Sequence, residues 1–117
     1  MITFICYPKC STCGKAETWL REHGIGYNTR NIKVDRPSAA EIGKWQERSG
    51  LPLRRFFNTS GLLYRRMKLS DRLGDMGRDE QLALLGSDGM LVKRPILIAG
   101  DRVLVGFREK EWEETLL

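Results

Sequence analysis

No stretch of this chain is apolar for long enough to span a membrane, and its 117 residues include one histidine, four prolines and three cysteines. Each scarcity excludes something. A closed zinc site wants four ligands, and His23 lies well along the helix that follows Cys13 while Cys6 belongs to a strand, so a metal centre has too few donors. Three cysteines, odd in number and gathered within positions 6 to 13, cannot make the disulfide framework of a small secreted protein. Met1 is followed at once by strand-like residues, with no basic flank and no cleavage site, so no signal peptide is expected and a reducing cytoplasm is the expected compartment. Repeats, linkers and low-complexity segments are also missing. Although the net charge is +5, no Lys/Arg block alternates with aromatics, so direct nucleic-acid binding is not expected; the basic surface suits an anion or an acidic partner. The pairs Arg54-Arg55 and Arg65-Arg66 read as solvated helix faces.

What is present reads as one domain spanning residues 1–117, large enough to bury a core without staples. Met1 to Cys6 is a short β-branched run that breaks at Tyr7-Pro8, a buried strand in which Cys6 is structural. Cys13 to His23 carries Ala16, Trp19 and Leu20 at helical spacing and stops at Gly24. Ile25 to Val34 alternates apolar and polar residues, predicting a second strand and a right-handed βαβ unit with parallel strands. Ser38 with Glu41 three residues later is a capping box, opening a helix through Ile42 and Trp45 to Gly50. From about 51 to 86 short helical pieces broken by Asn58-Thr59-Ser60-Gly61 and Leu73 to Gly77 predict an all-helical insertion of about three helices. After the turn Ser87-Asp88-Gly89, Pro95 to Ala99 and Arg102 to Val105 form a hairpin across Gly100-Asp101, and Glu109 to Leu117 is a last helix with Trp112 and Leu116 inward. The order predicts an α/β, thioredoxin-like fold, a four-stranded mixed sheet covered on both faces by helices. With no heptad pattern, the chain is expected to be a monomer.

The chemistry concentrates at Cys10 and Cys13. A thiol at the mouth of a helix faces free backbone N–H groups and the positive end of the helix dipole, which stabilise a thiolate. Cys10 is therefore the expected nucleophile and Cys13 the resolving thiol, the other readings being a metal site or two incidental buried cysteines. Arg94-Pro95 precedes the third strand, where a proline needs no ladder donor. In thioredoxin-like proteins the segment opposite the dithiol is a cis-proline, so the Arg94–Pro95 bond is expected to be cis, with the Arg94 guanidinium near Cys10 as a thiolate partner and a clamp for an oxyanion.

Three motifs together resemble one family: Tyr7-Pro8-Lys9-Cys10-Ser11-Thr12-Cys13; Phe56-Phe57-Asn58-Thr59-Ser60-Gly61 with Tyr64-Arg65; and Ser87-Asp88-Gly89-Met90-Leu91-Val92-Lys93-Arg94-Pro95-Ile96. Over nearly its whole length the chain is similar to the family that joins the glutaredoxin-dependent arsenate reductases to the Spx-type transcriptional regulators. The resemblance implies a thioredoxin-like fold with a helical insertion. In the reductases one cysteine attacks arsenate, glutathione reduces the adduct and arginines hold the oxyanion. The matching positions are Cys10 and Arg94, with Arg54 for a second arginine and Arg102 as the candidate for a third; Ser11 and Thr12 complete the candidate oxyanion set. The reductases have serine where this chain has Cys13, which favours release of an adduct as an internal disulfide and reduction by a thioredoxin in place of glutathione and glutaredoxin. No bound cofactor is expected. The Spx-type regulators carry both cysteines as a redox switch and bind the C-terminal domain of the RNA polymerase α subunit, with Gly50 nearest to their polymerase-contacting glycine.

Overall fold

Ile2–Cys6 forms β1, which lies inside the sheet because both of its faces are apolar: Phe4 and Ile5, pointing to opposite sides, are 1% and 0% exposed. The computed structural model describes residues Met1–Leu117. β1 pairs in parallel with β2 (Asn28–Asn31), Thr3 opposite Asn28, and antiparallel with β3 (Ile96–Ala99), Phe4 opposite Leu97. β3 turns through Gly100, at φ 60°, into antiparallel β4 (Arg102–Val105), so the sheet order is β2-β1-β3-β4. This is the mixed four-stranded sheet expected from the sequence.

Period-two alternation divides the core into two layers. On one face α1 (Ser11–Glu22) lays Cys13, Ala16, Trp19 and Leu20 against Phe4, Leu97 and Leu104, and α6 (Glu109–Leu116) adds the fully buried Trp112, whose indole N–H donates to the Gly106 carbonyl at 3.2 Å. On the other face Ile5, Ile96, Val103 and Val105 lie in a cluster with Ile42 and Trp45 of α2 (Ala39–Ser49) and Leu82 and Leu85 of α5 (Arg78–Ser87).

The capping box forms as read: the Glu41 N–H donates to Ser38 Oγ at 3.1 Å, the Ser38 N–H donates to the Glu41 carboxylate at 3.0 Å, and Gly50 closes α2 at φ 70°. Two boundaries differ from the expectation. The strand predicted for residues 25–34 is four residues long, because Asn31 Oδ1 accepts from the backbone N–H groups of both Lys33 and Val34 and bends the chain out of the sheet, leaving Val34 83% exposed. Helix α1 starts at Ser11, two residues before the prediction, with Cys10 as its N-cap.

Between α2 and β3 the chain is helical in short pieces: a 3₁₀ turn at Leu53–Phe56, then α3 (Leu62–Arg66), α4 (Leu69–Arg72) with a 3₁₀ turn at Leu73–Asp75, α5, and a 3₁₀ turn at Gly89–Leu91. Its two ends are tied together. Phe57 bridges Val92 antiparallel, the Lys93 N–H donates to the Phe56 carbonyl at 2.8 Å and the Asn58 N–H to the Leu91 carbonyl at 2.7 Å. Gly89 lets this return pass beside the end of β2, since a Cβ there would stand 1.8 Å from the Ile32 carbonyl oxygen. No helix is long and apolar enough to cross a membrane.

Candidate functional site

Three segments converge at the top of β1. The turn after the strand, closed by the Cys10 N–H donating to the Tyr7 carbonyl at 3.0 Å, brings Cys10 to the N-terminus of α1. One turn into the helix, Cys13 faces the core at 4% exposure, and the Tyr7 N–H donates to its sulfur at 3.4 Å. From the opposite side comes Arg94, preceding Pro95 across a peptide bond that is cis. All three cysteines are free thiols, and Cys10 is only partly buried.

The two thiols have opposite tendencies. Burial opposes ionisation of Cys10, but the Cys13 backbone N–H, the Cys13 thiol and the Arg94 guanidinium favour its thiolate, and together they prevail: its pKa lies below that of an ordinary thiol. Cys13 is pushed up to about 12, first by burial, against which the Tyr7 N–H works, and further by the negative charge of Cys10. Burial also raises Cys6, reinforced by Glu17 and Cys10. One reactive sulfur and two protonated ones are therefore packed into a single corner.

Arg94 is held with its guanidinium carbon 5.1 Å from the centre of the Tyr7 ring. Its Nε and Nη1 are buried and have no hydrogen-bond partner. A desolvated cation with idle donors beside a thiolate is an anion receptor. The cavity it borders with Cys10 has a volume of about 600 Å³. Asn58, Ser60, Arg66 and Asp88 contribute polar groups, while Leu62, Leu63 and Met90 make an apolar side.

The other candidates from the sequence are placed elsewhere. Ser11 and Thr12 are exposed in the first turn of α1 and do not line this cavity. Arg54, in the 3₁₀ turn Leu53–Phe56, lines a separate cavity with Arg55 and Lys93 and not the one at Cys10. Arg102 lies on β4 beside Arg48, Glu111 and Glu114, away from the thiols. Gly50 is the C-cap of α2, where nothing would meet a Cβ. The residues that do face Cys10 and that sequence reasoning passed over are Asn58, Arg66 and Asp88. The available signal was spacing: Leu62 and Arg66, four apart on α3, share the face that borders the cavity.

A mixed sheet of this order with a dithiol at the first helix and a cis-proline opposite defines a thioredoxin-like protein. The ArsC family model matches residues 6–115, and the chain belongs to that family. It is 51% identical over 113 residues to the uncharacterized protein YusI of Bacillus subtilis (strain 168), covering 97% of this chain and 96% of that one. It is 30% identical over 115 residues to the global transcriptional regulator Spx 2 of Lactococcus lactis subsp. lactis, covering 95% of this chain and 83% of that one. Among solved structures, an ArsC-family-related protein from Bacteroides fragilis superimposes with a TM-score of 0.94 at 49% identity over 97% of this chain and 95% of the other. A Streptococcus mutans UA159 protein described as a possible arsenate reductase gives 0.88 at 43% identity over 97% and 98%.

Proposed function

We propose that this protein is a cytoplasmic thiol oxidoreductase that uses Cys10 as nucleophile and Cys13 as resolving thiol on an oxidised substrate, either arsenate or a disulfide. The observation that carries the reading is the pairing of a half-buried, low-pKa Cys10 with an Arg94 whose buried donors are idle. The likeness to a possible arsenate reductase supports it.

With a disulfide substrate, the Cys10 thiolate attacks one sulfur, the other leaves as a thiolate held by Arg94, and a mixed disulfide remains on Cys10. Cys13 then loses its proton to the departing thiolate and attacks the Cys10 sulfur, releasing the second substrate thiolate and leaving a Cys10–Cys13 disulfide. Burial keeps Cys13 protonated, but the part of its raised pKa that comes from the Cys10 charge vanishes once Cys10 is bonded to substrate. With arsenate, Cys10 displaces water from arsenic, Cys13 attacks the Cys10 sulfur, and arsenic leaves with two more electrons as arsenite. In both routes a thioredoxin dithiol returns two electrons to the protein, glutathione with glutaredoxin being the other source. The protein works as a monomer without a bound cofactor.

The test is NADPH consumption with arsenate or a small disulfide, coupled in parallel to a thioredoxin system and to glutathione plus glutaredoxin. Steady turnover that needs Cys10 supports the reading and names the reductant; reversible formation of the Cys10–Cys13 disulfide with no turnover on either substrate overturns it. A second reading, a redox switch that binds the C-terminal domain of the RNA polymerase α subunit, is favoured by the dithiol and by the 30% identity to Spx 2. Its measure is binding of that domain by the reduced and the disulfide forms.

A further inference from the structure

The cavity that receives Arg54 is larger than the one at Cys10, about 780 Å³, and serves no step proposed above. Three cations, Arg54, Arg55 and Lys93, border it, and no carboxylate does. None of the three takes part in an ion pair, whereas Arg21, Arg30 and Arg78 elsewhere on the surface are each paired with an acidic residue. None of their side chains donates a hydrogen bond within the protein either; the two side-chain bonds from the wall are both from Gln81, whose amide N–H₂ serves the carbonyls of Leu73 and Met76. Like charges brought together without a counter-charge repel one another, and an anion placed among them removes that repulsion while accepting their free donors.

The wall is not only charged. Thr59 and Ser70 add hydroxyls, and the partly buried Tyr64, Leu73 and Met76 give an apolar side. A bare tetrahedral ion would leave most of this volume and all of that apolar side unused, while the size suits a small organic molecule. The geometry points to a second binding site in this cavity, one that takes a small phosphorylated organic molecule, its phosphate among Arg54, Arg55 and Lys93 and its apolar body against Tyr64, Leu73 and Met76.

The site is distinct from the dithiol site because the chain alternates at the partition between them. Phe57 and Thr59 line this cavity while Asn58 and Ser60 line the Cys10 cavity, and on the segment before β3 Lys93 lines one and Arg94 the other. The sequence motif Phe57-Asn58-Thr59-Ser60 with Lys93-Arg94 thus supplies both sites from its two faces.

The experiment is a titration of the reduced, uniformly ¹⁵N-labelled protein, followed by amide shifts, with phenyl phosphate, inorganic phosphate and phenol as separate probes. The expected result is saturable binding of phenyl phosphate at least about tenfold tighter than of either fragment, with the largest shifts at Thr59, Tyr64, Ser70 and Lys93. Arg54→Gln, at an exposed position where folding is not at stake, and Arg55→Gln should each weaken it by about tenfold, the loss of one charge-assisted contact. Thermal unfolding of each variant confirms that it is folded. Shifts centred on Cys10, Ser60 and Asp88, shifts scattered over the basic surface, affinity unchanged in both variants, or no saturable binding at all would each overturn the assignment.

Discussion

The guanidinium of Arg94 lies over the ring of Tyr7, 5.1 Å from its centre, so the cation is fixed beside Cys10 by an aromatic face and by no carboxylate. Its charge is therefore left for the thiolate. Replacing Arg94 by Gln removes the guanidinium that, with the Cys13 groups, outweighs burial at Cys10. The pH midpoint of Cys10 alkylation by iodoacetamide should rise, and the rate at a pH below the new midpoint should fall with the smaller thiolate fraction. Arg94→Lys keeps the charge without the planar fork, so its midpoint should fall between those of the wild type and Arg94→Gln.

Cys10→Ser should abolish turnover and Cys13→Ser should trap the substrate on Cys10 as a stable mixed disulfide, visible as an added mass in the intact protein. Because burial and neighbouring charge hold Cys6 and Cys13 protonated, brief alkylation of the reduced wild type should label Cys10 alone, as read by peptide mapping. Faster labelling of Cys6 would reverse the order of reactivity argued from burial.

Arg30 grips Glu41 with two parallel bonds of 2.7 and 2.9 Å, while the same carboxylate caps α2. The Arg30 bonds, with the Ser38 N–H, hold the Glu41 pKa down to about 2 against the cost of burial. Because the folded pKa is depressed, this contribution is complete above the unfolded glutamate value, near 4.3, and is lost as pH falls from there through about 2. The pair is partly solvated, Glu41 being 40% exposed, so after screening it is worth about 1 kcal/mol. Glu41→Gln should lower the urea midpoint at pH 7 and have little effect at pH 2, which two denaturation curves would establish.

Gly89→Ala would set a Cβ within 2 Å of the Ile32 carbonyl oxygen, backbone against backbone. The return of the insertion would have to move off the end of β2, at about 2–3 kcal/mol. Gly14→Ala, where a Cβ meets nothing within 4 Å, should cost no stability and serves as the control. Thermal unfolding of both variants measures the difference.

The strands, the capping box and the placement of Cys10 and Cys13 were legible because each rests on a local pattern of a few residues, and the cis bond before Pro95 because the order of elements already pointed to a thioredoxin-like fold. That Arg54 lines a separate cavity and Arg66 the one at Cys10 was not legible, for one reason. The 3₁₀ turn and α3 that carry them are four and five residues long, and α3 buries no side chain, so no apolar periodicity reports which way either faces. Their direction is decided by tertiary ties, the Phe57–Val92 bridge and the Asn58–Leu91 bond, made between positions more than thirty residues apart. Strand β2 was overread because Ile32 is buried as a strand residue would be, although Asn31 has already turned the chain.

The early stop of β2 also bears on how molecules meet. β2 is an edge strand of only four residues, Asn-Thr-Arg-Asn, none of them apolar. Arg30 is already engaged with Glu41 and with the Asp35 carbonyl, and the Asn31 side chain accepts from the N–H groups of Lys33 and Val34. An incoming strand would find few open pairing positions there and no hydrophobic row to bury, so the turn that shortens this strand also guards this edge of the sheet against edge-to-edge aggregation.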